Sequence, residues 1–161
     1  HRESLQASHL INEALSLALI NGYKKVIHVD TRIEEGLPPL KVDALQAQQV
    51  LFNLIRNSFE AMGEGQEGRH DLLITASRAQ GGFVEIGIED SGPGIDPEII
   101  EVVFNSFVTT KPGGMGVGLA ICQQIVESHG GRIRAGPSST LGGAAFHLTL
   151  PTIEANGSAR A

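Results

Sequence analysis

Two carboxamides, Asn53 and Asn57, stand four residues apart in Gln49-Val50-Leu51-Phe52-Asn53-Leu54-Ile55-Arg56-Asn57. On a helix that spacing puts both side chains on one face, a turn apart. An amide oxygen suits Mg2+, which takes an octahedron of oxygens and keeps waters, so one or two protein oxygens suffice when phosphate supplies others. Downstream, Asp90-Ser91-Gly92-Pro93-Gly94 sets a carboxylate at a strand end beside a glycine turn where a flat ring could approach the backbone. A carboxylate there accepts a hydrogen bond from an exocyclic amine such as adenine's, whereas guanine's carbonyl at that edge has no proton to give. Phe104-Asn105-Ser106-Phe107 is a candidate hinge. Gly113-Gly114-Met115-Gly116-Val117-Gly118 leads into a helix beginning near Val117, whose first N–H groups and dipole favour an anion. Lys111 is a candidate local cation for phosphate, with the Thr109 and Thr110 hydroxyls beside it.

Each piece alone has a plainer reading. The Asn pair could be solvated helix surface, Asp90 to Gly94 an ordinary Asx turn, the glycine run a flexible linker, and Lys111 simply exposed. Taken in this order, the four read as one ATP site. The glycine run is not a Walker A loop, because no Gly-Lys-Ser/Thr closes it, nor a dinucleotide fingerprint, because it follows a loop rather than a strand.

The elements that must position these residues follow from periodicity. Leu5, Leu10, Ile11, Ala14, Leu15, Ala18 and Leu19 recur at three and four residues and predict a helix from about Glu3 to Asn21. Val26, Ile27, Val29 and Ile33 suggest a strand within Tyr23 to Glu34, broken at Gly36-Leu37-Pro38-Pro39. Asp43 can cap a helix running to about Met62. On it Val50, Leu51, Leu54, Ile55, Ser58 and Met62 share one side, while Asn53, Arg56, Asn57 and Glu60 share the other. Strands near 72–78 and 83–89 are joined across Gly81-Gly82 as a hairpin. Pro97 opens a short helix to about Val103. A helix from about Gly116 to His129 closes at Gly130-Gly131, and strands near 132–135 and 144–150 end at Pro151. The polar tail from Thr152 reads as disordered. Helices and mostly antiparallel strands in this order indicate an α+β two-layer sandwich, helices on one face of a mixed sheet.

The 161 residues, 41% of them hydrophobic, can bury one substantial core and require no second domain. A net charge of −6 argues against a nucleic-acid grip through phosphates. A single cysteine, Cys122, excludes an internal disulfide framework and fits a reducing, cytoplasmic compartment. No run reaches the roughly 18 apolar residues of a membrane span, so no direct membrane contact is expected, although a longer parent could be membrane-tethered.

The four pieces resemble the N, G1, F and G2 boxes of the catalytic ATP-binding domain of sensor histidine kinases, within the superfamily of DNA gyrase, the Hsp90 chaperones and MutL. The resemblance covers about Lys41 to Pro151. Phe104-Asn105-Ser106-Phe107-Val108-Thr109-Thr110-Lys111 and Phe146-His147-Leu148-Thr149-Leu150-Pro151 are most similar to the oxygen-sensing FixL-type and nitrogen-regulation kinases. It implies a Bergerat-type ATP-binding fold with ATP and Mg2+ as cofactors. Asn57 would be the magnesium ligand and Asp90 the adenine partner. Gly92 and Gly94 would form the turn beneath the base, 104–114 would form a mobile lid, and Gly114, Gly116 and Gly118 would meet the phosphates, with Ile95, Met115, Val117 and Leu119 among the nucleotide-binding residues. Asn53, Glu60, Phe104, Thr109, Thr110 and Lys111 complete the expected nucleotide contacts, with Asn53, Asn57 and Lys111 the catalytic candidates.

Hydrolysing members carry a glutamate where Asn53 stands, and an amide is no base for water. That leaves the γ-phosphoryl for a positioned protein nucleophile. Two positions depart from the kinase pattern. Glu60 stands where many sensor kinases have a basic residue, leaving Lys111 or Arg56 for phosphate, and Ala145 replaces a threonine near adenine. None of His1, His9, His28, His70, His129 and His147 has the flanking pattern of a phosphoacceptor, so the acceptor would lie on a dimerisation module of the same parent and pass its phosphoryl to a response regulator. Residues 1–22 are expected as the end of that dimerisation segment and its connection, 23–151 as the catalytic domain and 152–161 as tail. The alternatives are an ATP-gated dimerisation module of the gyrase or chaperone kind, and a serine kinase of the anti-sigma type.

Overall fold

Alternation in the strands and a three-to-four spacing in the helices produce two layers that share one core. The computed structural model describes residues 1–20, 26–63, 70–104 and 116–155. In chain order the elements are β1 (Glu3–Leu5), α1 (Ala7–Ile20), β2 (His28–Ile33), β3 (Leu40–Val42), α2 (Ala44–Gly63), β4 (Asp71–Ala79), β5 (Phe83–Asp90), α3 (Gly116–Ser128), β6 (Ile133–Pro137) and β7 (Ala144–Pro151). The main sheet runs β2-β4-β5-β7-β6, with β2 parallel to β4 and the other pairs antiparallel. The mixed, mostly antiparallel α+β sandwich is the architecture the residue pattern implies.

One face of the sheet is covered. Leu72, Ile74 and Ala76 of β4, Val84, Ile86 and Ile88 of β5, and Phe146, Leu148 and Leu150 of β7 alternate into a single cluster with Val50, Leu51, Leu54 and Ile55 of α2 and Cys122 and Val126 of α3. Truncating a fully buried leucine such as Leu54 would cost about 2–5 kcal/mol, because the lost burial is compounded by a cavity. The other face carries polar residues, including a Glu85–Arg134 ion pair at 3.2 Å with Arg134 Nη1 3.4 Å from His147 Nδ1.

Both ends of the chain differ from expectation. The first helix starts at Ala7, not Glu3, because Glu3–Leu5 pairs antiparallel with Leu40–Val42. Three-residue strands show too little alternation to read, and Pro38-Pro39 masks the second. Ala7, Leu10, Ile11, Ala14 and Ala18 of α1 belong to the common core, and the expected boundary at residue 22 lies outside the described residues. Thr152, expected to open a disordered tail, belongs instead to the folded structure. Thr152 is buried, bridges to Leu40, and its N–H and Oγ1–H both reach Gly82 O, at 2.9 and 2.6 Å. Gly82, at φ 81°, permits this, because a Cβ there would sit 2.7 Å from the Glu154 and Ala155 backbone.

The short helix expected from Pro97 is only a turn, 3₁₀ at Ile100–Val102. Asp96 closes the turn before it, its Oδ1 accepting Glu98 N–H and its carbonyl accepting Ile99 N–H, both at 2.9 Å.

Candidate functional site

The helix carrying the carboxamides is fixed at its start by Asp43, whose Oδ1 accepts Gln46 N–H at 3.0 Å while its carbonyl accepts Ala47 N–H at 2.9 Å. The Gln46 N–H bond, foremost, holds the Asp43 carboxyl below its ordinary value. From there the stripe of Val50, Leu51, Leu54, Ile55, Ser58 and Met62 is buried, as its spacing requires, and Phe59 joins it. Asn53, Asn57 and Glu60 are half-buried along the other side. Asn57 makes no side-chain hydrogen bond among the described residues. Asn53 Nδ2 lies 3.9 Å from Cys122 Sγ, which ties the middle of α2 to α3. Arg56, a candidate for phosphate, is exposed and pairs one turn on with Glu60 at 3.2 Å. An exposed pair of this kind contributes under about 1 kcal/mol, so it does not lock either side chain.

Asp90, 1% exposed, sits at the end of β5 on the helix-covered side. Its Oδ1 accepts from Gly92 N at 2.9 Å and Ala144 N at 3.2 Å, and its carbonyl accepts from Gly143 N at 3.0 Å. Gly92 packs the turn onto the last turns of α2. A Cβ there would lie 3.1 Å from Asp90 Oδ1, 3.4 Å from Met62 Cγ and 3.5 Å from Ala61 C. Ser91 Oγ donates to Met62 Sδ at 3.6 Å and accepts Asp71 N–H at 2.9 Å. Gly94, at φ 85°, takes the left-handed conformation that turns the chain away. Asn57 lies just one helical turn before Ala61 and Met62, so the structure brings the carboxamide and the carboxylate turn to one end of α2.

Sequence reasoning missed Gly143. A Cβ at this position would be driven into Asp90's own carbonyl and Oδ1, and would sit 2.6 Å from Gly92 N. The Gly142-Gly143 pair before the last strand was the available signal. Ala145 is also corrected. It pairs with Glu89 and Gly136, on the face opposite Phe146 and Leu148, whereas Ala144 is the residue against Asp90. Period-two alternation from Phe146 would have chosen Ala144.

Ile95 is half-buried against the core, and Phe104 meets Phe146 edge-on, ring centroids 6.1 Å apart and planes at 75°. Gly116 and Val117 open α3, Gly118 is half-buried, and Leu119 is buried in the core. Six residues after Gly116, Cys122 is fully buried with Sγ 3.8 Å from Val50 O. Burial pushes its thiol up to about 12. The helix start therefore lies about 9 Å along the axis from the Asn53 contact. Thr109, Thr110, Lys111, Gly114, Met115 and most of the expected lid lie outside the described residues.

The donor set fits a purine and a hydrated divalent cation. A buried carboxylate accepts the N–H groups of Gly92 and Ala144, Gly143 without room for a Cβ and the closely packed Gly92 flank it, and a half-buried carboxamide with no protein partner among the described residues stands near. Among the described residues no helix is long and apolar enough to cross a membrane.

Comparison with known proteins agrees. The chain is 40% identical over 149 residues to the sensor protein FixL of Bradyrhizobium diazoefficiens, covering 92% of this chain and 29% of FixL. It is 40% identical over 148 residues to the C4-dicarboxylate transport sensor protein DctS of Rhodobacter capsulatus, covering 92% of this chain and 22% of DctS. It thus spans under a third of either relative. The solved catalytic domain of histidine kinase ThkA, nucleotide free, superposes with a TM-score of 0.81 at 30% identity, covering 94% of this chain and 96% of that one. Full-length ShkA in complex with AMPPNP superposes at 0.79 with 27% identity, covering 97% of this chain and 32% of that one. Residues 42–154 match the family described as histidine kinase-, DNA gyrase B-, and HSP90-like ATPase, and the chain belongs to that family.

Proposed function

We propose that this chain is the ATP-binding catalytic domain of a sensor histidine kinase. It would bind Mg-ATP and transfer the γ-phosphoryl to an imidazole nitrogen on a separate dimerisation module of its parent, leaving ADP. The phosphoryl group would then pass to a response regulator. The setting is the cytoplasm, whether or not the parent is membrane-tethered.

The observation that carries this reading is the arrangement at the end of α2, where Asp90 is held by Gly92 N and Ala144 N and Asn57, without a side-chain partner among the described residues, lies a turn away. Asp90 accepts the adenine amine. Gly92 and Gly94 let the base lie close to the backbone, with Ile95 packing beside it. Asn57 contributes an amide oxygen to the cation, and Mg2+, when bound, offsets the phosphate charge. The opening N–H groups of α3, from Gly116 to Gly118, bind the phosphates, and Thr109, Thr110, Lys111, Gly114 and Met115 contribute further nucleotide contacts. Asn53, an amide rather than a carboxylate, leaves water unactivated, which favours transfer to a protein nucleophile over hydrolysis. Support comes from the family match and from ShkA, solved with AMPPNP, and ThkA, solved with the response regulator protein TrrA.

The test mixes this chain with radiolabelled ATP, Mg2+ and the parent's dimerisation segment. An acid-labile, base-stable label on the segment is expected, absent in the Asn57→Ala, Asp90→Ala double variant. Acid-stable label would indicate a serine kinase instead, and label that survives the double variant would remove this site from the reaction.

A further inference from the structure

The last two residues of β5 face opposite sides of the sheet, and both are fastened to the same six-residue loop between β6 and β7. On the helix-covered side Asp90 takes Gly143 N on its carbonyl and Ala144 N on Oδ1. On the other side Glu89, 9% exposed, takes the hydroxyl of Ser138, itself 4% exposed, on Oε1 at 2.6 Å. The same hydroxyl accepts Leu141 N–H at 2.9 Å. Ser138 also closes the loop through its backbone, donating N–H to Gly143 O at 2.7 Å and accepting Gly142 N–H on its carbonyl at 3.0 Å.

We propose that Glu89 and Ser138 are positioning residues that set the purine selectivity of Asp90, a statement that rests on the nucleotide reading above. A buried carboxylate loses hydration and keeps its place only when it is well hydrogen-bonded. The 2.6 Å charge-assisted bond supplies this. Its mechanical effect reaches the other face. Gly142, at φ 87°, and Gly143 form a backbone with little stiffness of its own. Ser138 anchors the start of that loop, and Ala144 N–H, just past its end, is one of the donors that orient Asp90 Oδ1. Choosing an amine over a carbonyl depends on the direction of the carboxylate far more than on its presence. Freeing the loop lets Ala144 N–H drift, and the carboxylate loses one of the bonds that orient Oδ1. Neither Glu89 nor Ser138 needs to touch the nucleotide.

The experiment titrates the full chain with Mg-ATP and with Mg-inosine triphosphate, whose base presents a carbonyl where adenine presents its amine, and records thermal midpoints alongside. Wild type is expected to prefer ATP. Ser138→Ala is expected to weaken ATP by about tenfold while moving inosine triphosphate little, so that the ratio collapses. Ser138→Thr and Glu89→Gln preserve a hydroxyl-to-oxygen bond and are expected to restore the ratio. If Ser138→Ala does not fold, Glu89→Asp, which withdraws the acceptor by one methylene, is read in its place.

A variant that lowers the midpoint but keeps the wild-type ratio overturns the clamp and leaves the nucleotide site standing. A wild type that binds neither nucleotide overturns both. A wild type that binds both equally overturns the selectivity assigned to Asp90, and the clamp with it.

Discussion

His129 Nε2 accepts the backbone N–H of Asp43 at 3.1 Å, while Nδ1 lies 2.9 Å from Ile125 O, one turn back on α3. Accepting at Nε2 places the ring proton on Nδ1, which donates to Ile125, so both nitrogens of this buried imidazole are used in its neutral form. The bond joins the end of α3 to the residue that caps α2, and these two helices flank the candidate site. His129→Ala removes the acceptor of a part-buried N–H and opens a small cavity. A loss of about 2–3 kcal/mol is expected in urea denaturation. An unchanged midpoint would show that the link carries no stability.

Asp43 itself titrates. Its carboxyl is held below the ordinary value of 3.8, first by the Gln46 N–H. A group whose folded value is depressed contributes stability above its unfolded value and loses it as pH falls through the folded one. Thermal midpoints between pH 5 and pH 2.5 should therefore fall more steeply in wild type than in Asp43→Asn, which caps the helix without titrating. Parallel curves would contradict the capping role.

Gly143→Ala should be severe and Gly136→Ala mild. The first drives a methyl group into the Asp90 backbone and carboxylate, whereas the second meets nothing within 4 Å. Relief requires a backbone shift worth about 1–3 kcal/mol, and it displaces Ala144 N–H. ATP affinity and stability are both expected to drop for Gly143→Ala alone. Equal behaviour of the two variants would dissociate Gly143 from the Asp90 turn.

Cys122 should resist alkylation in the folded chain. It is fully buried, and a thiol pushed up to about 12 holds almost no thiolate at neutral pH. Because the folded value is raised above 9.0, the unfolded state gives up its proton first on raising the pH, so stability should begin to decline above about pH 9. Rapid modification by iodoacetamide at pH 7.5 without unfolding would contradict this burial.

Much of this was readable from residue order because the long elements repeat a single period. The α2 stripe, the β4–β5 hairpin at Gly81-Gly82 and the closing glycines after α3 all lie within a few residues of their expected places. Gly130, at φ 84°, ends α3 as a left-handed cap should, and Gly131 N–H reaches Val126 O at 3.0 Å. What was not readable depends on partners far away in the chain. Glu3–Leu5 is a strand because Leu40–Val42 lies beside it, and Thr152 is held by the Gly82 carbonyl and its bridge to Leu40. Asp90 was identifiable from its glycine turn, but its anchors, Gly143 and Ala144, are over fifty residues later. The Glu89–Ser138 bond gave no local sign at all, since neither residue is unusual until the loop folds back over the sheet.

In the proposed pocket Asp90 selects adenine and Asn57 holds a cation against the phosphates. Calorimetric titration of the folded chain with ATP and GTP, each with and without Mg2+, tests it most directly, with Asn57→Ala and Asp90→Ala in parallel. Binding of ATP in preference to GTP is expected, with the magnesium-dependent part lost in Asn57→Ala and affinity reduced on the order of tenfold or more in Asp90→Ala. No heat with Mg-ATP, or equal binding of GTP, would contradict the account.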